Sequence, residues 1–369
     1  MRLATRCVQL GRGDDSHGAI VPPIYQTATF EQPGEYDYTR SGNPTRTLLE
    51  QQLADLEDAA YACAFASGMA ALTALTRIVK AGEEIIAGDD LYGGTVRLLD
   101  HLASHQNISV RYVDTTGPTE LRNALTERTR LLLIETPSNP LFRISDISAL
   151  AAIAKDAGVY LAVDNSMLSP ILQRPLNLGA DVVVHSATKF LSGHSDVTAG
   201  ALITDDPALH QQLAFQQNAE GAGLSPFESW LLLRGLKTLA LRVERQSNSA
   251  AKVAHFLQQR SEVTEVFYPG LGAVISFTTG HEKLSCDIVE ATRLFKVAVS
   301  FGSVGSTISL PCRMSHASIP SALRARLAPP ADLVRLSVGI EDPDDLIEDL
   351  DYAFYNARHD SLVSTGQQL

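Results

Sequence analysis

Seven short apolar segments constrain this chain more than any other feature. "AYACAF", "EEIIAG", "SVRYVD", "TRLLLIET", "GVYLAVDN", "ADVVVHS" and "AGALIT" are rich in Val, Ile, Leu and Tyr, and helical patterns separate them. Apolar runs without polar alternation belong to strands covered on both faces. Parallel neighbours need a crossover, usually a helix, so the pattern predicts an α/β fold with a mostly parallel central sheet flanked by helices. "NPTRTLLEQQLADLED" predicts one such helix, with Asn43 as N-cap, Pro44 at the first helical position and Leu49, Leu53 and Leu56 on one face. "SGMAALTALTRIVKAG" predicts a second, closed by Gly82, and Ile147 to Ala157 a third. From about Lys237 the texture changes to a long polar helix, "TLALRVERQSNSAAKVAHFLQQR", followed by fewer, more separated strands. That change predicts a second, smaller α+β domain.

A chain of 369 residues exceeds one ordinary core, so about two domains are expected. The formal net charge of −12 disfavours nucleic acid or an anionic membrane as a general partner, since both require a basic face. A small anionic ligand held by a few local cations stays compatible. "MRLATRCVQLGRGDDSHG" lacks the apolar stretch of a signal peptide, and no run approaches a membrane span, so a cytoplasmic location is expected. Cys7, Cys63, Cys286 and Cys312 form no C-x-x-C pair, which gives neither a disulfide framework nor a zinc knuckle. Cys312 and His316 stand at helical spacing, but two ligands do not make a metal site, and no metal is expected.

In open α/β sheets ligands bind beyond the carboxyl ends of the strands. Those ends carry Ser67 and Gly68, Tyr92 with Gly93 and Gly94, Glu135 and Asn139, Asp164, and then Ser186, Thr188 and Lys189. Ser67-Gly68-Met69 is either a plain capping turn or an anion site, because amides at a helix start favour negative charge. Asp164 either initiates a turn or is a carboxylate in need of a cation. Lys189, 25 positions further on, is either a solvated amine or a reactive one. As a set these residues match what pyridoxal phosphate requires. A helix terminus suits the phosphate, a carboxylate suits the pyridine nitrogen, an aromatic can stack on the ring, and a lysine can hold the aldehyde as a Schiff base.

"YDYTRSGNPT", "FASGMAAL", "DDLYGGT", "ETPSNP", "VDNS", "HSATKFLSGHSD" and "LVRLSVGIEDPDDLIEDLD" occur in this order over nearly the whole chain. In these segments the chain resembles the Cys/Met-metabolism, or transsulfuration, enzymes, which depend on pyridoxal phosphate and share the fold-type I, aspartate aminotransferase-like architecture. "QNAEGAGLSPFESWLLLRGLKTLALR" and "AVSFGSVGSTISLPCRMSHASIP" look most like the plant and bacterial cystathionine β-lyase group. The resemblance implies an N-terminal arm over 1–42 reaching a neighbouring subunit's site, a cofactor-binding α/β domain over 43–236 and a C-terminal α+β domain over 237–369. It implies Lys189 and Tyr92 as catalytic residues, with Lys189 also holding the cofactor's aldehyde and Tyr92 also stacking on its ring. Asp164 would pair with the ring nitrogen and Asn139 would contact the phenolic oxygen. Ser67, Gly68, Met69, Ser186 and Thr188 would hold the phosphate, joined by Tyr38 and Arg40 from the neighbouring subunit. Arg335 and Ser300, with Tyr92, would bind the substrate. The implied assembly is a homotetramer built from two active-site dimers, the implied partner a small amino acid, and the implied reaction β-elimination of L-cystathionine.

Relatives catalyse γ-elimination and γ-replacement on the same scaffold, so cystathionine γ-lyase, γ-synthase and methionine γ-lyase stand as alternatives. γ-Enzymes that handle cystathionine commonly carry a glutamate just before the carboxylate-binding serine, where this chain has Val299. Methionine γ-lyase-like relatives can also have valine there but usually have a cysteine after "YG", where this chain has Gly94. Both departures favour the β-lyase reading. Leu271 runs directly into Gly272 where family members have a longer connection rich in His, Pro and Gln, so either the chain is a shortened variant or a mobile loop is missing from this sequence. Outside the family, a nicotinamide oxidoreductase would share the sheet, but "GLGAVI" has Ile275 where the third fingerprint glycine belongs. A non-catalytic protein of the same fold would be expected to lose Lys189 or Asp164. Glu135, His185 and His194 are read as structural.

Overall fold

Buried apolar strands joined by amphipathic helices build the first part of the molecule, in a computed structural model that describes residues 1–9, 17–317 and 319–366. Part of the proposed arm, 10–16, and Ser318 of the "SHASIP" segment lie outside the described residues. The strands are β1 (Tyr61–Phe65), β2 (Glu84–Gly88), β3 (Ser109–Val113), β4 (Thr129–Glu135), β5 (Tyr160–Asp164), β6 (Val182–His185), β7 (Gly200–Thr204), β8 (Glu265–Phe267), β9 (Val274–Thr278), β10 (Lys296–Val297), β11 (Thr307–Ser309) and β12 (Val334–Ser337). The helices are α1 (Leu3–Gln9), α2 (Pro44–Leu56), α3 (Gly68–Thr76), α4 (Gly93–His105), α5 (Pro118–Ala124), α6 (Ile147–Asp156), α7 (Ser169–Leu172), α8 (Pro207–Ala219), α9 (Pro226–Leu236), α10 (Leu239–Gln258), α11 (Glu282–Ala291), α12 (Ser321–Leu327) and α13 (Pro343–Gly366). Contacts divide the chain into one compact unit of Met1–Asp89, Leu98–Thr136 and Ser145–Leu241, and another of Asp90–Arg97, Pro137–Ile144 and Arg242–Leu369.

The first unit holds a seven-stranded sheet in the order β1-β7-β6-β5-β4-β2-β3. β7 runs antiparallel to both of its neighbours, and the remaining pairs are parallel. The parallel α/β expectation therefore holds, with β7 as the one reversed strand. One side of the sheet packs Ile86, Leu132, Ile134, Leu161 and Val163 against Leu121, Ile147, Leu150 and Ile153 of α5 and α6. Each fully buried Leu or Ile stabilises by roughly 1.5–3 kcal/mol relative to leaving it exposed. α2 forms as its sequence prescribes: Asn43 Oδ1 accepts the amide of Thr45, and Leu49, Leu53 and Leu56 are buried.

α3 is shorter than the sequence suggests. It stops at Thr76, not at Gly82, and i→i−3 bonds from Arg77, Ile78 and Val79 to Ala74, Leu75 and Thr76 draw the next residues into a tighter turn. Thr76, Ile78 and Val79 are β-branched and stiff at χ1, which disfavours a further α-turn. Gly82, with φ of +89°, closes the subsequent turn.

The second unit has a five-stranded sheet, β10-β11-β12-β9-β8, antiparallel except for β10 with β11. Its core packs Val253, Leu257, Phe277, Ile288, Leu336, Leu350 and Phe354 from α10, α11, α13 and the central strands. The direct Leu271-Gly272 link is the turn of a hairpin between β8 and β9, where the Tyr268 hydroxyl donates to the Gly272 carbonyl at 3.2 Å. Among the described residues no helix is long and apolar enough to cross a membrane.

Candidate active site

The first unit gathers one cluster of candidate residues where α3 begins and where β5 and β6 end. Ser67 is the N-cap of α3, its Oγ accepting the Ala70 amide at 3.0 Å. Gly68 and Met69 occupy the first two helical positions, whose amides have no partner inside the helix. A Cβ on Gly68 would lie 2.9 Å from Cβ of Ser186, so glycine is what lets the helix start touch the end of β6. The Ser186 amide donates to Ser166 Oγ at 2.6 Å, and the Ser166 amide donates to Asp164 Oδ1 at 2.9 Å, which ties the ends of β5 and β6 together. Lys189 stands one turn later, its amide bonded to the Ser186 carbonyl at 3.0 Å. Thr188 Oγ1 accepts the Ala199 amide at 3.0 Å and donates to the Ala199 carbonyl at 3.2 Å, so in this structure its hydroxyl proton is already committed.

Burial raises the Asp164 carboxyl above its ordinary value, and two hydrogen bonds from Ser166 with the charges of His185 and Lys189 offset only part of that rise. A carboxylate in that balance suits a cationic N–H. The neighbouring donor set of two helix-start amides and the Ser67 and Ser186 hydroxyls suits a phosphate. Together with the amine of Lys189, the residues present fit pyridoxal phosphate.

Tyr38 and Arg40 lie elsewhere in the first unit, on the N-terminal segment around a cavity of about 410 Å³. Arg40 Nη1 donates to the carbonyl and to Oδ1 of Asn218, at 3.0 and 2.9 Å, and not to the α3 cluster. Arg46, buried behind it, donates to the carbonyls of Thr39 and Arg40 at 2.8 and 3.1 Å and fixes the backbone that carries it.

The second unit brings together Asn139, Ser300 and Arg335. Arg335 on β12 is 2% exposed. Its Nη1 donates to Asn139 Oδ1 at 2.8 Å, its Nη2 to the Ser300 carbonyl at 3.4 Å, and its guanidinium carbon lies 5.4 Å from the Phe301 ring centre. Ser300 adopts a φ of +86°, a strained conformation for a residue with a side chain. Tyr92 precedes α4 and is 39% exposed. A Cβ on Gly94 would collide with the Tyr92 ring, so glycine at that position leaves room for the aromatic.

Several participants escape a sequence reading. His316 Nε2 donates to the Asn139 carbonyl at 3.2 Å, and its Nδ1 accepts from the Ser315 hydroxyl at 3.0 Å. Burial, helped by the Arg335 guanidinium, pushes His316 down to about 4, so it is neutral. Only its spacing from Cys312 singles it out in the sequence, and among the described residues no group of three or more His, Cys, Asp or Glu is placed to hold a metal. Ser166 is one position past the "VDN" end of β5 and could have been found as a turn-former. The pairing of His185 with Glu57 had no signal at all.

The model of the Cys/Met metabolism PLP-dependent enzymes matches residues 4–355. The chloroplastic cystathionine β-lyase of Arabidopsis thaliana is 50% identical over 95% of this chain and 80% of its own. A cystathionine γ-lyase of Bacillus subtilis is 43% identical, over 93% and 96%. The crystal structure of cystathionine γ-lyase from Lactobacillus plantarum complexed with L-serine superposes with a TM-score of 0.94 at 39% identity, covering 97% of this chain and all of that one.

Proposed function

Because this chain belongs to the Cys/Met metabolism PLP-dependent enzymes, we propose that it is a carbon–sulfur lyase that eliminates the β-substituent of L-cystathionine and, with one water, gives homocysteine, pyruvate and ammonia. The observation that carries the reading is the 50% identity to a cystathionine β-lyase over 95% of the chain, against 43% for a γ-lyase. Val299 and the Gly94 that accommodates Tyr92 support it.

Bound pyridoxal phosphate supplies an electron sink for the charge left at the substrate's α-carbon. Ser67, Gly68, Met69 and Ser186 would hold its phosphate, joined by Thr188 if its hydroxyl turns from the Ala199 carbonyl to the anion. Asp164 would keep a proton on the ring nitrogen, Asn139 would contact the phenolic oxygen, and Tyr92 would cover the ring. Arg335 would bind the substrate carboxylate, since a guanidinium fork fixes orientation as well as charge. Lys189, released by the substrate amine, would take the α-proton. The departing homocysteine thiolate needs no proton from the protein to leave. The site is proposed to be shared, with Tyr38 and Arg40 completing the phosphate site of a second copy in a homotetramer.

The test supplies cystathionine to the purified protein and identifies the keto acid. Pyruvate with homocysteine is expected, whereas 2-oxobutyrate with cysteine would overturn the β-elimination in favour of the γ-lyase alternative. Borohydride is expected to fix the cofactor to the peptide that contains Lys189, and Lys189→Ala to abolish turnover.

A further inference from the structure

Glu57 and His185 form a buried titratable pair to which the proposed reaction gives no part. His185 Nε2 and Glu57 Oε1 are 2.6 Å apart, and each residue is 1% exposed. Glu57 caps the end of α2, and its Oε1 also accepts from Asn165 Nδ2 at 3.2 Å. Oε2 is buried with no hydrogen-bond partner among the described residues. A carboxylate so enclosed is costly unless a cation stands against it, and the imidazole of His185 is what stands there. The pair is joined to Asp164 in two ways. Asn165, next in the chain after Asp164, bonds both to Glu57 and, through its amide, to the Val184 carbonyl at 2.9 Å. His185 lies one residue beyond Val184, the register partner of Asp164, and its charge favours the Asp164 carboxylate.

The titratable groups around this position are few. β4 places Glu135 opposite Asp164 in register, α2 ends in Glu57, and Lys189 lies just past β6. β7 and α3, which also border β6, contribute no titratable side chain. His185 and Lys189 are thus the nitrogen bases whose charge would act on Asp164, and of the two only His185 is left with no task in the reaction.

We propose that Glu57 and His185 are positioning residues: the carboxylate holds the imidazole protonated, and the imidazolium in turn keeps Asp164 ionised for its role at the cofactor. The inference rests on the reading of Asp164 as the partner of the ring nitrogen. Its test uses the reconstituted holoenzyme and two shape-conserving variants. His185→Gln keeps a donor for Glu57 without the charge, and Glu57→Gln removes the counter-ion that holds the proton. Both are expected to raise the dissociation constant for pyridoxal phosphate about tenfold, as the loss of one favourable charge neighbour would. Both are also expected to raise, by about one pH unit, the midpoint at which the bound cofactor's visible band changes, because a ring nitrogen that has lost its proton no longer repels the proton at Lys189. The double variant should be no worse than the weaker single, since the two residues act as one unit. Wild-type-like affinity and an unmoved midpoint in a folded variant would overturn the proposal, and if His185→Gln does not fold, Glu57→Gln alone decides it. Wild-type protein that takes up no cofactor at Lys189 would instead overturn the reading of the site itself.

Discussion

A buried guanidinium can offer a fork to a substrate carboxylate only if its neighbours hold it without neutralising it. Arg335, proposed for that role, donates to two dipoles, Asn139 Oδ1 and the Ser300 carbonyl, which orient its guanidinium. His316 completes the arrangement by donating to the Asn139 carbonyl, and beside that guanidinium it does so as a neutral ring. The sign of its pKa shift has a consequence for stability. In the unfolded chain the imidazole gains a proton near its ordinary 6.5, whereas in the fold it resists down to about 4. Between those values the unfolded state binds more protons, so stability present above 6.5 is lost progressively as pH falls toward 4. A depression from 6.5 to about 4 corresponds to on the order of 3 kcal/mol at the acid end. Replacing His316 by Gln, which still donates, should flatten the dependence of melting temperature on pH over that window. An unchanged slope would show that His316 is protonated in the fold as easily as in water.

At the scale of elements, the cofactor site depends on how closely the start of α3 approaches the end of β6. Gly68→Ala places a methyl group 2.9 Å from Cβ and 3.1 Å from Cα of Ser186, atoms fixed to the backbone at the end of β6 rather than at the tip of a flexible side chain. Overpacking of this kind typically costs about 1–3 kcal/mol. Because the displaced group is an amide of the proposed phosphate site, cofactor affinity should fall alongside the melting temperature, which equilibrium dialysis and thermal unfolding would register together. A variant with a lowered melting temperature but wild-type affinity would separate the helix start from the phosphate. Much of this unit was legible in sequence for a simple reason: β1, β2 and β4 to β7 are mostly apolar, and α2, α3, α6 and α8 carry their own side-chain N-caps, so local pattern and final burial agree, whereas edge strand β3 keeps an exposed Arg111. The end of α3 was misjudged because a C-cap glycine signal competed with β-branched residues that stop the helix sooner. Strand-end residues such as Asp164, Ser186 and Lys189 were legible because topology alone sends them to one edge. The contacts that tune them were not. His185 meets Glu57 across 128 positions and Arg335 meets Asn139 across 196, and no periodicity encodes a pairing at such distance.

For the molecule as a whole, the proposal that decides most is that one chain does not make a complete site. Arg40 is bound to Asn218 of its own chain, beside a cavity of about 410 Å³ that Tyr38 and Arg46 also line, and away from the α3 cluster. In a chain with a net charge of −12, a cation held at the surface next to an open cavity is well placed to meet a dianionic phosphate from a second copy. Lys189→Ala should be inactive, and Arg40→Ala should be weakened in cofactor retention and turnover. Coexpressed, the two chains would form mixed dimers in which one site carries both defects and the other carries neither. With random pairing about half of the dimers are mixed, so about a quarter of all sites regain both wild-type residues. Specific activity of the coexpressed protein should therefore rise well above the mean of the two parents, toward about a quarter of wild type. If Arg40 instead serves the phosphate of its own chain, no mixed dimer contains a repaired site, and the activity stays at the parental mean.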